Sequence, residues 1–280
     1  MEKLLIVDGH NLLFQMFYGM PSRIVNLDGK TIQGTLGFVG ALIKIIKMTN
    51  PTHLVVLFDG EHENDRVELF SQYKANRIDY SQVKEEDNPF SQLQDVYDAL
   101  SFMNIKYTEI DELETDDVIA SYVYTYEKSI EIVISSFDSD FFQLINEKVY
   151  ILRYRGQNTV ICDSQFIKDK YSIMPSQYAD FKSLTGDKSD NINGAEKVGI
   201  KTASALINQF GSLKRIIDNA EIIEKQSIRE SIIRNKGRLQ ANYKLIKLDN
   251  RAKIPFTINE LLYNYNLITT NEVLKGIGLK

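Results

Sequence analysis

The sequence predicts an α/β fold built on a parallel sheet and followed by a mainly helical module. In the first half of the chain, apolar runs of strand length alternate with segments of helical periodicity. The expected strands lie at 4–7, 54–58, 105–109 and 131–136, and the expected helices at about 34–48, at about 91–103 and from 116 onward. Such alternation is typical of parallel strands joined by helices that cover both faces of the sheet.

Size and composition place few limits on this fold. A chain of 280 residues can bury a full core. Cys162 is the only cysteine, so no internal disulfide can form and a reducing compartment is expected. Asp8 interrupts the first apolar stretch too early for a signal peptide, and no later run approaches the length of a membrane span. We therefore expect a cytoplasmic, monomeric protein with no membrane association.

The charge of the chain is unevenly distributed. The formal net charge is −5, but residues 197–253 contain 13 Lys or Arg against 5 Asp or Glu, a local balance of +8 that leaves −13 for the remainder. A basic module beside an acidic core suits a protein that holds a phosphate backbone with one part and cleaves it with the other. Ordinary solvated helix faces would give the same count, and composition alone does not separate these interpretations.

Acidic residues cluster where the predicted strands end. Asp8 and Asp59 close two of the apolar runs, and Asp138 follows a third. In an open parallel sheet these ends meet at one crevice, where ligands bind. So many like charges repel one another unless cations lie between them, and oxygen ligands without His or Cys favour Mg²⁺ or Mn²⁺. A pair of such ions suits phosphodiester hydrolysis. The candidate metal ligands are Asp8, Asp59, Glu114, Asp116, Asp117, Asp138, Asp140, Asp187 and Asp190.

Each cluster also has a structural interpretation. Acids at 114–117 suit the first turn of a helix, and the acids at 138 and 140 could cap the next one. We expect Asp187 and Asp190, three residues apart, to share one face of a helical turn, although a solvent-facing turn rich in Asp and Asn is a serious alternative.

Two further segments have the composition of nucleic-acid contacts. Gly194, Gly199, Lys201 and Thr202 form a glycine turn that enters a helix, where free backbone N–H groups and a lysine can hold a phosphate. Residues 61–89 form a charged excursion from the core.

Within this excursion, Lys74 and Arg77 would face one way on a helix and could hold the scissile phosphate. Tyr73 beside them could stack on a base. A solvated, charged helix is the competing interpretation of all three residues.

Taken together, these segments resemble the 5′-nuclease family, which includes bacterial and phage flap endonucleases and the N-terminal nuclease domain of bacterial DNA polymerase I. The resemblance runs from residue 4 to about residue 213. Its motifs, in order, are LLIVDGHNLLF, VVLFDG, YKANR, ELETDDVIASY, SSFDSDFFQLI and LTGDKSDNINGAEKVGIKTASALI. Each motif is weak alone, and the five acidic ones in sequence are highly specific.

The resemblance implies a PIN-like α/β nuclease core at 1–175 with a helical arch at about 66–92, and a helical module at 176–280 with a helix-three-turn-helix motif at about 184–210. It assigns the acids to two Mg²⁺ or Mn²⁺ ions, with Asp117 as an additional acid, and Lys74 and Arg77 to the active site. The implied DNA contacts are Tyr73, Lys74, Arg77, Gly194, Lys197, Gly199, Lys201 and Thr202. Backbone carbonyls at Val198 and Ile200 are candidates for a K⁺ site.

The resemblance also implies a function and leaves two rivals open. It implies a free-standing, structure-specific 5′ nuclease, with 5′-3′ exonuclease and flap endonuclease activity on DNA with 5′ flaps or 5′ ends, including RNA-primed strands. Asn193 and Lys197 depart from the Pro and Gly frequent in the family, so the hairpin could be shaped differently. One rival is a DNA-junction binder without catalysis, and the other is a PIN-type ribonuclease, which usually lacks the arch and the helix-three-turn-helix segment.

Overall fold

The computed structural model describes residues 2–60, 73–76, 78–111, 113–264 and 267–279. Its central sheet has six strands in the order β3-β2-β1-β4-β5-β6, with β1 to β5 parallel and β6 antiparallel to β5. The strands are β1 Lys3–Asp8, β2 His53–Asp59, β3 Lys106–Ile110, β4 Glu131–Ser135, β5 Val149–Arg153 and β6 Val160–Cys162. This confirms the predicted α/β fold with a parallel sheet.

The strand order creates a crevice at the carboxyl ends of the strands. The chain moves outward from β1 to β2 and β3, then returns to β4 on the other side of β1. Val7 pairs with Val56 on one neighbour and with Ser135 on the other, so the three central strands end at nearly the same level. A reversal of strand order of this kind is where open α/β sheets bind their ligands.

Helices cover both faces of the sheet. On one face, Leu5 and Val56 pack into a cluster with α1, α2 and α3, while on the other Ile6 and Val55 pack against α4. Because both faces are covered, the central strands have continuous apolar sequences. The helices of this part are α1 Gly9–Gly19, α2 Gln33–Thr49, α3 Leu93–Phe102 and α4 Thr115–Tyr126.

The second part of the chain is mainly helical and shares the core of the first. Ile207 and Leu239 belong to the same apolar cluster as Ile6. A short hairpin of β7 Gly186–Asp187 and β8 Ile192–Asn193 interrupts the helices. These helices are α5 Ser164–Tyr171, α6 Tyr178–Thr185, α7 Ile200–Phe210, α8 Leu213–Asp218 and α9 Gln226–Ile246. Among the helices of the described residues, none combines the length and the apolar character that a membrane span needs.

The C-terminal segment, described at residues 249–264 and 267–279, returns along the sheet and its helices. The Tyr122 hydroxyl donates to Phe256 O at 3.0 Å, and the Tyr126 hydroxyl accepts from Ile258 N at 3.2 Å. Tyr263 N then donates to Thr52 O at 2.9 Å beside β2. The final helix, α10 Thr270–Gly276, packs on α2 and α3.

Only part of the predicted arch at 66–92 can be compared with the structure. Residues 61–72 and Arg77 lie outside the described residues. The described remainder contains a turn at 73–76 and three 3₁₀ helices, Tyr80–Gln82, Glu85–Asp87 and Pro89–Gln92. The side chain of Asn88 caps the last of these through Phe90 N at 2.9 Å. In this part the secondary structure is therefore 3₁₀ rather than α-helical.

Candidate metal site and nucleic-acid interface

Three acids stand at the carboxyl ends of adjacent strands. Asp8 is the last residue of β1, caps α1 through Asn11 N at 3.1 Å, and accepts from Ser136 Oγ at 2.8 Å. The same Ser136 Oγ accepts from Asp138 N at 3.0 Å, which ties the turn after β4 to the end of β1. Asp59 ends β2 and accepts from Thr115 N at 3.2 Å. These hydrogen bonds fix the acids along one edge of the sheet.

The first turn of α4 brings a second group of acids to this edge. Glu114 is the N-cap residue, and Lys74 Nζ contacts its Oε1 at 2.8 Å. The charges of Asp138 and Asp59 help to raise the pKa of Asp116, so its carboxyl belongs to the same cluster. Asp117 has a different partner, because its Oδ1 accepts from Asp249 N at 2.8 Å. Asp117 therefore connects α4 to the C-terminal segment.

A third group consists of Asp140, Asp187 and Asp190. One carboxylate oxygen from each lies within 4.8 Å of the others, an arrangement that can hold a metal ion. Asp140 opens a 3₁₀ helix after β4, whereas the other two come from the β7–β8 hairpin. The prediction that Asp187 and Asp190 share a helical turn was wrong. They lie in a hairpin in which Asp187 Oδ1 accepts from Ser189 N at 2.8 Å. This is a turn rich in Asp and Asn, as in the alternative interpretation, but it does not face solvent, because Asp190 is buried and Asp187 pairs with Lys182.

Two glycines give the hairpin its shape. Gly186 has a φ of +79°, a conformation that side chains rarely adopt. A Cβ added at Gly194 would lie 2.3 Å from Leu184 O and 2.6 Å from Gly186 N. The two backbone segments can therefore pack directly on each other, which brings the hairpin acids against Asp140.

Burial and mutual repulsion dominate the electrostatics of the cluster. Burial, reinforced by the charge of Asp59, raises the pKa of Asp8 to about 7, and burial likewise raises the pKa of Asp140 to about 7. Burial and the charge of Asp138 raise the pKa of Asp116 well above its ordinary value. For Asp59, burial acts in the same direction, but the nearby His10 and a hydrogen bond from Thr115 prevail and lower its pKa far below the usual range.

Sequence reasoning missed Lys182 at this site. Its side chain extends from α6 and forms short ion pairs with Asp140 and Asp187, and the residue is only 5% exposed. Burial disfavours its charged form, but the neighbouring carboxylates raise its pKa above the ordinary value. A lysine between the apolar positions Phe181 and Leu184 of a helix, shortly before an acid pair, was the signal that could have revealed it.

The segment 73–76 docks against the hairpin. Lys74 has a φ of +56°, and its N donates to Asp190 O at 3.1 Å, while Asn76 Nδ2 donates to Lys188 O at 3.1 Å. Tyr73 is 4% exposed and packs in an apolar cluster with Ile192. Lys74 Nζ lies 4.8 Å from the centre of its ring. The stacking of Tyr73 on a base stays a prediction, and the buried ring leaves little surface for it in this conformation. Arg77 lies outside the described residues.

The predicted phosphate-binding turn stands at the start of α7. Gly199 is the N-cap residue, and the helix begins at Ile200. Lys197 and Lys201 are exposed and Thr202 is half-buried, so these side chains lie at the surface. Lys197 takes a φ of +64°, a left-handed conformation that favours glycine. The Ile200 carbonyl accepts from Ser204 Oγ at 2.9 Å, and K⁺ at Val198 and Ile200 stays a prediction.

One face of α9 holds the loop before this turn. Arg238 Nη2 donates to Gly194 O at 2.7 Å, and Asn242 Nδ2 donates to Asn193 O at 2.9 Å. Ser231 Oγ donates to Glu196 O at 2.7 Å. These side chains repeat at helical spacing along α9, a pattern that sequence reasoning did not single out. These hydrogen bonds fix the backbone of residues 193–196 from the side that faces α9.

Comparison with protein families assigns the chain in two parts. Residues 3–172 match the family model of the 5′-3′ exonuclease N-terminal resolvase-like domain. Residues 173–267 match that of the 5′-3′ exonuclease C-terminal SAM fold. Together the two matches cover most of the sequence.

Individual relatives agree with this assignment. The 5′-3′ exonuclease of Buchnera aphidicola is 35% identical over 257 residues, covering 88% of this chain and 86% of the relative. The DNA polymerase I of Borreliella burgdorferi is 31% identical over 95% of this chain, which spans only 29% of the polymerase.

Solved structures share the fold at lower identity. The bacteriophage T5 flap endonuclease, solved with DNA and metal ions, has a TM-score of 0.72 and 24% identity, covering 88% of this chain and 89% of its own. The catalytic core of Rad2 in complex with a DNA substrate has a TM-score of 0.61 and 17% identity, covering 99% of this chain and 93% of its own.

Proposed function

The chain belongs to the 5′-3′ exonuclease family, and from that premise we propose that it is a structure-specific 5′ nuclease that acts on 5′ flaps and 5′-ended duplex DNA with two divalent ions. As a member of this family, it is a nuclease that hydrolyses phosphodiester bonds. We further propose that it leaves 5′-phosphate and 3′-hydroxyl ends and removes RNA primers during DNA replication and repair.

The convergence of acids from five separate segments supports this proposal. Strand ends, the first turn of α4 and the β7–β8 hairpin all supply carboxylates to one crevice. The donor set fits Mg²⁺ or Mn²⁺, because every candidate ligand is a carboxylate oxygen and burial among like charges makes these groups unfavourable without cations. A fold that needed these acids only as helix caps would not bury them together.

We assign the acids to two groups. Asp138, Asp140, Asp187 and Asp190 would hold one ion, and Asp8, Asp59, Glu114 and Asp116 would hold the other or its water shell. Bound divalent ions would lower the pKa of a coordinated water and stabilise charge on the phosphate oxygens. Asp117 would act at most indirectly, since its carboxylate already holds Asp249 N.

Two basic side chains would complete the reaction site. Lys74 pairs with Glu114 in this structure, and we propose that it moves from this carboxylate to the scissile phosphate when the 5′ strand enters. Arg77 would assist it. The exposed lysines at 197 and 201, Thr202 and the backbone N–H groups after Gly199 would hold the phosphates of the duplex. Gly194 would act through the shape of the loop.

A labelled 5′-flap duplex tests the proposal. With Mg²⁺ the protein should release the flap, EDTA should abolish release, and a DNA ligase should seal the resulting nick only if its ends are 5′-phosphate and 3′-hydroxyl. Asp138→Ala and Asp187→Ala should abolish cleavage while binding stays nearly intact. Asp98→Ala, at an exposed acid on α3, is the matched control. Undiminished turnover in both site variants would refute the assignment of the metal site.

The same assay separates the rivals. A DNA-junction binder would retain the flap duplex with and without Mg²⁺ and release nothing. A PIN-type ribonuclease would cleave a single RNA strand in preference to the flap, and the match of residues 173–267 to the exonuclease C-terminal domain already argues against it.

A further inference from the structure

We propose that Lys182 is a built-in cation of the acid cluster, which neutralises part of the site in the metal-free protein and weakens the binding of one divalent ion. Lys182 would act as a positioning residue for the metal ligands. This inference rests on the proposed metal-dependent function.

The geometry places Lys182 where an ion would bind. Its Nζ contacts carboxylate oxygens of Asp140 and Asp187. These belong to the three acids whose oxygens lie within 4.8 Å of one another. The ammonium group and a divalent ion would thus use the same two carboxylates. An ammonium group hydrogen-bonds these oxygens at about 2.8 Å, whereas Mg²⁺ binds oxygen at about 2.1 Å with strict octahedral geometry, so the two cations compete for the same lone pairs.

The position of Lys182 in α6 makes this contact hard to avoid. Lysines are rarely buried unless they are paired. Lys182 lies between Phe181 and Leu184, which are 3% and 0% exposed, and its own exposure is 5%. Its side chain is therefore directed into the crevice by the packing of the helix. Lys74 differs, because its side chain is 17% exposed and reaches Glu114 from a docked segment.

A built-in cation has a consequence for folding. The β7–β8 hairpin can close on Asp140 only if the charges of its acids are balanced, because buried carboxylates without a cation are strongly unfavourable. Lys182 supplies one positive charge from within the fold. The hairpin can then form before any metal binds, and its acids are held near their binding positions.

The same charge opposes the incoming metal ion. Two cations that share carboxylates repel each other, even though the acids attract both. Removing the charge of Lys182 should therefore destabilise the metal-free protein and tighten metal binding. A purely structural lysine would produce only the first effect.

The test compares Lys182→Met with wild type in Mn²⁺ titrations without DNA. We expect the weaker Mn²⁺ site of Lys182→Met to bind at least about tenfold more tightly. In EDTA the melting temperature of this variant should be lower than that of wild type, and this difference should shrink in saturating Mn²⁺. Lys188→Met removes an exposed charge from the same hairpin and should change neither quantity appreciably. Lys182→Arg keeps the charge and should retain wild-type metal affinity.

The outcomes separate this inference from the function on which it rests. If wild-type protein binds no Mn²⁺, the proposed metal site fails. If wild type binds Mn²⁺ but Lys182→Met has the same affinity and the same melting deficit with and without metal, the inference about Lys182 is overturned. If Lys182→Met does not fold in EDTA, Lys182→Gln, which keeps a hydrogen-bond donor without the charge, should show the tighter binding, and unchanged affinity would overturn the inference.

Discussion

At the scale of single residues, Lys74 has contacts that suit two states of one site. Its Nζ contacts Glu114 Oε1 at 2.8 Å and lies 4.8 Å from the centre of the Tyr73 ring. Its backbone N is bonded to Asp190 O. The side chain is thus held against the acid cluster, and a phosphate arriving there would offer it a further anionic partner.

Replacing this lysine should affect chemistry more than binding. Lys74→Ala should lower the single-turnover cleavage rate by roughly 10²–10³-fold, the usual effect of removing a charged group that stabilises a transition state. The dissociation constant of the flap duplex should change much less. Lys84→Ala, at an exposed lysine of the same segment, is the control. If Lys74→Ala weakens binding but leaves the single-turnover rate unchanged, Lys74 holds the DNA and takes no part in the chemistry.

Individual residues differ in how far the sequence predicts their roles. The acids at the strand ends could be located because the strands are strongly apolar and their ends converge in any parallel sheet. The partner of Asp117 could not be predicted, because it comes from a distant part of the chain. Asp117 binds the backbone of Asp249, 132 residues away. No local pattern encodes a contact at that separation.

At the scale of elements, the β7–β8 hairpin depends on close backbone contact. Gly186 and Gly194 were visible in the sequence only as turn residues, and the composition of 186–191 suits a helical turn equally well. What decides between the two is the packing of Gly194 against Leu184 O and Gly186 N, together with the positive φ of Gly186.

A methyl group at position 194 tests this packing. Gly194→Ala would place a Cβ 2.3 Å from Leu184 O, so the hairpin must shift. We expect a loss of about 1–3 kcal/mol in the free energy of unfolding, as for other overpacked sites, and weaker Mn²⁺ binding. Gly199→Ala is the control for stability, because a Cβ there meets no atom within 4 Å. Equal unfolding free energies for the two variants would contradict the contact.

The polar face of α9 gives a second prediction at this scale. Asn242→Ala removes the Nδ2 donor from the carbonyls of Ser183 and Asn193. Loss of the donor to the buried Ser183 carbonyl typically costs about 1–3 kcal/mol. Amide hydrogen exchange in residues 193–198 should quicken, and the flap duplex should bind less tightly. Gln240→Ala, at an exposed position of α9, should leave both unchanged. Unaltered exchange in Asn242→Ala would show that α9 does not set the shape of this loop.

At the scale of the whole molecule, the C-terminal segment joins the two parts of the chain. It starts at Asp249 beside Asp117, follows α4 through Tyr122, and ends with α10 on α2 and α3. No sequence pattern predicts this path, because residues 249–279 show neither a long apolar run nor a clear period. The sheet, by contrast, followed from local apolar patterns. Packing that depends on backbone bonds to distant side chains leaves little trace in the sequence.

The acid cluster should also set the pH dependence of stability for the entire metal-free protein. Asp8 and Asp140 have pKa values raised to about 7, and that of Asp116 is raised as well. Between about pH 4 and pH 7 the folded state therefore binds more protons than the unfolded state, so its stability falls as pH rises. Carboxyl groups with lowered pKa values, such as Asp59 and Asp187, change the stability with pH only below about pH 4. The lowered pKa of His53 opposes this fall in stability, but only at pH values near the ordinary pKa of a histidine.

Urea unfolding in EDTA should then give a larger free energy of unfolding at pH 5 than at pH 8. Saturating Mg²⁺ should reverse the order, because metal binding requires deprotonated carboxylates and supplies the missing positive charge. Asp8→Asn removes one of the groups whose pKa is raised and should flatten the dependence in EDTA. A metal-free protein that is more stable at pH 8 than at pH 5 would mean that these carboxylates do not share a buried crevice, and the metal assignments would fail with it.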